Sequence, residues 1–256
     1  TEVEVIGSYS ETSPWDCPVV QKVRDNALTF IAKRFEPDER GRIRGSWPDV
    51  LALVASGKPE YVKLAKQWVH SQELCQDIDA TVTLADVSGG YNSWRHGFNP
   101  LEMAIYHEAT GDDFVLPEIR KRAILVALGQ NGGGLWGHNF VFPGFNGGLL
   151  HQTNPGYGAL NNAGTRCFFL LAMAKKAGIK HPEINAAILR SSRFFRTFVD
   201  KGCVPYGYHP PANSDDSNGK NYGAAYAFHS LGMKYEAKYF SIHSAHAAFT
   251  RRGGHG

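Results

Sequence analysis

The chain has 256 residues, 43% of them apolar and 20% charged. That is ordinary globular usage and excludes a disordered tail or a collagen-like chain. Its 27 Lys and Arg against 24 Asp and Glu leave a net charge of +3, too slight to point to nucleic acid. No apolar run approaches the roughly 18 residues that cross a bilayer, so no membrane insertion is expected.

In chain order, residues 1–17 read as an extended N-terminal arm with a strand signal at Val3-Glu4-Val5-Ile6. Residues 18–256 read as one domain. Val19 to Arg34 is an amphipathic helix, with Val20, Val23, Ala27, Phe30 and Ile31 on one face. Asp16-Cys17-Pro18 ahead of it supplies an acidic cap and an early proline. Gly45-Ser46-Trp47-Pro48 leads into a short helix through Val50, Leu51, Leu53 and Val54, which stops at Gly57. A new helix opens at Pro59. Thr81-Val82-Thr83 is the other strand signal.

The same phrase then recurs. Asn92-Ser93-Trp94 precedes a helix from Pro100 to Ala109 that stops at Gly111. Gly134-Leu135-Trp136 precedes one from Leu160 to Ala177 that stops at Gly178, and Val204-Pro205-Tyr206 one from Ala224 to Ser230 that stops at Gly232. Helical hairpins closed by glycine at repeating intervals form stacked or ring-like arrays. The helix from Leu160 to Ala177 carries small and apolar residues on several faces and belongs to a buried inner layer. Glu118-Ile119-Arg120-Lys121-Arg122 is charged as an outer layer should be. The expected fold is all-α, an α/α toroid or partial ring of repeated helical hairpins.

Gln130-Asn131-Gly132-Gly133-Gly134-Leu135-Trp136 fits Q-x-x-x-G-x-W and resembles the repeat signature of terpenoid-cyclase and prenyltransferase toroids. A wider likeness covers most of the chain. Leu128 to His138, Pro155 to Gly164, Pro205-Tyr206-Gly207-Tyr208-His209-Pro210 and Asp216 to Asn221 resemble an uncharacterised bacterial family with an α/α-toroid fold. That resemblance implies an exported protein, secreted or periplasmic, whose domain often follows a PDZ-type module. It also implies a domain that continues past the present C-terminus. The start at Thr1 without a signal sequence fits a processed chain or a piece of a longer one. The resemblance implies no reaction.

In a ring of hairpins the long loops gather at one mouth. Residues 131–155 and 202–219 make two such loops, and long loops in compact domains are frequently functional. They carry His138, His151, Tyr206, His209, Asp216 and Asn218; Trp136 lies at the start of the first and Tyr157 just past its end. Trp47, Asp49, Trp94, Arg95 and His96 sit in shorter loops, and Asn161 and Asn162 follow at a helix start. Aromatic faces interleaved with amides, imidazoles and carboxylates suit a sugar, because rings cover its apolar faces while polar groups take its hydroxyls. A Tyr and a His can act as acid and base, with Asn or Arg neutralising a uronate carboxylate. Tyr157, His138, His209, Asn161 and Arg95 are therefore the candidate catalytic set for β-elimination on an acidic polysaccharide. Trp47, Trp94, His96, Trp136, His151, Asn162, Tyr206, Asp216 and Asn218 are the candidate binding set. A glycosidase needs two separated carboxylates; the adjacent Asp215 and Asp216 rarely make that geometry, and Asp49 is the other acid that could serve as partner.

Other chemistries lack their residues. Asn213-Ser214-Asp215-Asp216 misses the first acid of the cyclase D-x-D-D motif. Cys17, Cys75, Cys167 and Cys203 are scattered without a CxxC pair, which reads as separate thiols, with one disulfide left open for an exported protein. Cys203 and His209 have no standard zinc spacing, so neither a metal nor any cofactor is expected. The function expected is binding of a glycan in the toroid mouth, with cleavage left open and β-elimination preferred to hydrolysis. The rival readings are a non-catalytic scaffold or self-assembling homo-oligomer, and an isoprenoid- or peptide-modifying toroid enzyme.

Overall fold

The computed structural model describes residues 14, 16–87, 90–141, 158–207 and 220–250. Among them the chain is all-helical, without a β-strand. Two compact units divide it, residues 1–73 and 74–256.

The first unit holds α1 (Pro18–Lys33), α2 (Trp47–Ala55) and α3 (Pro59–His70). Asp49 fixes the start of α2, since its Oδ2 accepts from the Ser46 backbone N at 3.0 Å and from the Ser46 hydroxyl at 2.7 Å. Arg34 Nε donates to the same oxygen at 2.9 Å. The Asp49 carboxylate is thus a capping group. Trp47 is only 7% exposed and meets Trp68 edge to face at 5.5 Å, with Phe35 on Trp68 at 5.8 Å. The Trp47 indole is part of the core.

The second unit comprises α4 (Asn92–Gly97), α5 (Asn99–Thr110), α6 (Leu116–Leu128), α7 (Asn161–Lys176), α8 (Pro182–Arg196), α9 (Lys220–Ser230) and α10 (Lys234–Thr250), with short 3₁₀ turns at Leu84–Val87 and Asp113–Val115. Helix α7 lies at its centre, packed on α4, α5, α6, α8 and α9. Its apolar surface on several sides has a matching wall of neighbours, as the sequence pattern demands. The close approach of α9 depends on Gly223, where a Cβ would come within 2.6 Å of the Thr165 side chain.

The four stop glycines behave as expected. Gly57, Gly111, Gly178 and Gly232 all have positive φ, between 66° and 85°. They end α2, α5, α7 and α9 and turn the chain into α3, α6, α8 and α10. The Q-x-x-x-G-x-W segment ties the end of α6 to α8. Gln130 is buried, donates through Nε2 to the Ala187 carbonyl and the Ser191 hydroxyl, and accepts from Arg190 Nε at 2.7 Å. Ser191 in turn donates to the Gly134 carbonyl at 3.0 Å. The fully buried Trp136 donates its indole N–H to the Val126 carbonyl at 2.8 Å.

Several local expectations differ from the structure. Thr81–Thr83 is not a strand: the Thr83 N–H and hydroxyl both donate to Asp86 Oδ2, at 2.8 and 3.0 Å, and open a 3₁₀ turn. The segment bearing Trp94, Arg95 and His96 is a helix, α4, rather than a loop. Helix α9 begins at Lys220, ahead of Ala224. The strand signal at Val3–Ile6 lies outside the described residues. All four cysteines are free thiols. Among the described residues no helix is long and apolar enough to cross a membrane.

Candidate functional site

The described candidates fall into distinct places. Trp94, Arg95 and His138 come together at α4. This six-residue helix is too short to be stable by propensity alone, and the segment around His138 holds its start. The Ser93 N–H donates to the His138 carbonyl at 3.2 Å, and the Tyr91 N–H donates to Asn139 Oδ1 at 2.7 Å. Tyr91, the residue before the helix, is left-handed at φ 59°. That conformation costs a non-glycine residue roughly 1–3 kcal/mol, and such strain concentrates at binding sites.

Tyr91, Trp94, Arg95 and Phe98 are spaced to share one helical face. Tyr91 is 63% exposed and Trp94 half-buried. The planar groups form a row. Tyr91 meets His138 edge to face at 5.1 Å, His138 stacks with Trp94 at 5.9 Å, and Trp94 stacks with Phe98 at 5.0 Å. The Arg166 guanidinium, from α7, closes the row 4.2 Å from the Phe98 ring centre. Glu102, one turn beyond Phe98, interacts electrostatically with Arg166. Burial raises the carboxyl above its ordinary value while Arg166 opposes the rise. Burial likewise lowers Arg166, and Glu102 opposes that.

Trp94 Nε1–H donates to His138 Nδ1 at 2.9 Å. An indole nitrogen can only donate, so His138 Nδ1 accepts and the proton of the neutral ring sits on Nε2. In that tautomer Nε2 is a hydrogen-bond donor.

His96, on the opposite side of α4, is 5% exposed. Arg122 Nη1 donates to His96 Nδ1 at 2.9 Å, and Arg122 Nε donates to Glu118 Oε1 at 2.6 Å. Glu118, read from sequence as outer-layer charge, is buried, and its other oxygen accepts from the Cys75 N–H at 2.9 Å. Burial first, then the neighbouring Arg122 and Arg95 charges, bring His96 down to about 4. It is a neutral structural imidazole.

Asn161 and Asn162 are buried at the start of α7. The Asn161 amide donates to the Pro205 and Gly207 carbonyls, both at 3.0 Å, and its backbone N–H donates to the Tyr206 carbonyl at 2.8 Å. Both amide protons are therefore spent on the 205–207 backbone, and neither is left for a substrate carboxylate. Tyr206 is half-buried, 5.6 Å from Lys220 Nζ across its ring face. Trp47 belongs to the first unit and Trp136 to the interior of the second, where neither ring has an open face. His151, Tyr157, His209, Asp216 and Asn218 lie outside the described residues, as does Asp215.

Sequence reasoning passed over Tyr91, Phe98, Glu102 and Arg166. Arg166 had a signal, as a lone cation inside the otherwise small and apolar stretch of α7. Among the described residues no three His, Cys, Asp or Glu side chains gather closely enough to hold a metal ion.

Residues 21–256 match the family described as a domain of unknown function, DUF6288, and the chain belongs to that family. Searches of curated proteins and of solved structures found no match.

Proposed function

We propose that this chain is a carbohydrate-binding protein of the cell exterior or envelope, and that it takes an acidic polysaccharide along the α4 face. The observation that carries this reading is the row Tyr91, His138, Trp94, Phe98 and Arg166. It alternates stacking surface with a donor at one point and a guanidinium at its end. Rings of this kind cover the apolar faces of sugars, and a guanidinium matches a carboxylate in a two-pronged fork. Export and the α/α-toroid arrangement belong to the same proposal and rest on the sequence resemblance.

Binding comes before cleavage in this reading. The Nδ1 of His138 is engaged by Trp94 and the amide of Asn161 by backbone, so in this reading β-elimination runs through Tyr157 and His209. Arg95 or Arg166 would then face the uronate carboxylate. Calorimetry with trigalacturonate and its neutral counterpart maltotriose tests the binding claim. The charged sugar should bind more tightly, and Tyr91→Ala with Phe98→Ala should weaken it about tenfold, a stacking contribution of about 1 kcal/mol or slightly more. Equal affinity in parent and variant overturns the α4 site. A rise in ultraviolet absorbance from an unsaturated product, abolished in Tyr157→Phe, would establish elimination. Its absence with uronate polymers leaves a binding protein without lyase activity.

A further inference from the structure

Helices α9 and α10 leave a groove of about 520 Å³ between them, lined by Tyr222, Ala225, Tyr226, His229, Lys234, Ala237, Lys238 and Ser241. That volume lies within the range of small-ligand sites. The lining follows from helical spacing. Tyr222, Tyr226 and His229 stand one turn apart along α9, and Lys234, Lys238 and Ser241 do the same along α10. Ala225 and Ala237, both nearly buried, form the floor, and their small side chains give the groove its depth.

Two features make this more than a gap between helices. The first is rigidity: the Tyr226 ring is backed by Phe169, stacked at 5.4 Å with 17° between planes, and still 55% exposed. Its outer face is presented without freedom to fold away. The second is charge. The lining holds two lysines and no carboxylate. Glu236, on the same helix, is 8% exposed and engaged with Arg196 at 2.9 Å. Asp200 accepts from the Tyr235 hydroxyl at 2.8 Å. Among the described residues Lys234 and Lys238 have no acidic partner.

An aromatic wall facing a cationic wall fits a ring that carries an anionic group. We infer that this groove is a second saccharide site, for a uronate-bearing segment of the glycan. A pyranose ring lies against Tyr226 and Tyr222, its carboxylate between Lys234 and Lys238, with Ser241 and His229 taking hydroxyls. This rests on the acidic-glycan reading above, but uses no residue of the α4 face. Two sites on one chain would also let a polymer bind at both, raising avidity beyond either alone.

The test is calorimetry on the whole chain with trigalacturonate, with maltotriose and adenosine monophosphate as controls. Two sites per chain are expected. Lys234→Gln with Lys238→Gln should remove one site or weaken it about tenfold and leave the other unchanged. Both lysines are exposed, and an unchanged helical circular-dichroism spectrum shows the variant folded. Tyr226→Ala should have the same effect. If the lysine variant keeps both sites, or adenosine monophosphate binds the groove more tightly than the uronate, the inference is overturned. If only the Tyr91→Ala, Phe98→Ala variant loses a site, the groove fails and the α4 reading stands. If only the lysine variant does, the groove stands and the α4 reading fails. A parent chain that binds no trigalacturonate overturns both.

Discussion

Gly134 offers a quantitative test of how the second unit is held together. Its φ is 88°, and a Cβ built there would lie 2.6 Å from both the carbonyl carbon and oxygen of Arg190, and 2.9 Å from the Ser191 nitrogen. All three atoms belong to the backbone of α8, which cannot swing aside as a side chain can. Gly134→Ala therefore carries two costs. The left-handed conformation costs about 1 kcal/mol for alanine, and pushing α8 away from the loop costs about 2–3 kcal/mol more. That shift would also stretch the Ser191 bond to the Gly134 carbonyl and disturb Gln130. Gly178 provides the control. Its φ is 85°, almost the same, yet nothing lies within 4 Å of a Cβ there. Gly178→Ala should cost only the conformational term, about 1 kcal/mol. Urea denaturation of the two variants beside the parent measures the difference directly. Gly134→Ala should be the less stable of the pair by about 2–3 kcal/mol. Equal losses would refute the claim that the glycine is there to admit the α8 backbone.

Other perturbations have defined outcomes. His96 lies below its ordinary value of 6.5, at about 4, so the unfolded chain takes up a proton between those values while the folded chain does not. Stability should be full above about pH 6.5 and fall by about 2 kcal/mol toward pH 4, after discount for partial solvation; His96→Gln should flatten that limb of the urea-measured profile. Trp94→Phe keeps a ring in the row but removes the donor to His138 Nδ1, so it should cost about 1 kcal/mol. Nitrogen-15 shifts of His138 should show the proton on Nε2 in the parent and a mixture of tautomers in the variant. Cys75 is partly exposed whereas Cys17, Cys167 and Cys203 are buried, and burial pushes the Cys167 thiol well above its ordinary value. A thiol reagent should therefore modify Cys75 in the native protein and reach the other three only on unfolding.

What could be read from sequence was what depends on short-range chemistry. Gly57, Gly111, Gly178 and Gly232 announce helix ends because a left-handed residue after a helix is nearly always glycine. The buried character of α7 followed from its small and apolar residues on several faces. Helix α4 was hidden because its start is secured from outside, by the backbone of His138 and the amide of Asn139, over 40 residues away in the chain. The Q-x-x-x-G-x-W motif was visible as a string. Its role as a lock between the end of α6 and α8 depends on Ala187, Arg190 and Ser191, which no local pattern connects to it. Trp47 and His96 carry the residue types of a sugar site, but burial decides what they do, and burial is a property of the fold. Asn161 was read as an amide for a substrate carboxylate, whereas its amide protons go to carbonyls of the 205–207 segment.

The binding claim at α4 is tested most directly by the indole N–H signals of the nitrogen-15-labelled protein during titration with trigalacturonate. Trp94 Nε1–H is the proton bonded to His138 Nδ1, at the centre of the ring row, while the Trp136 indole is sealed against the Val126 carbonyl and Trp47 is packed on Trp68. The account predicts a saturable shift of the Trp94 signal, with those of Trp136 and Trp47 unmoved. A Trp94 signal that stays in place while the ligand binds elsewhere, or while nothing binds at all, would contradict it.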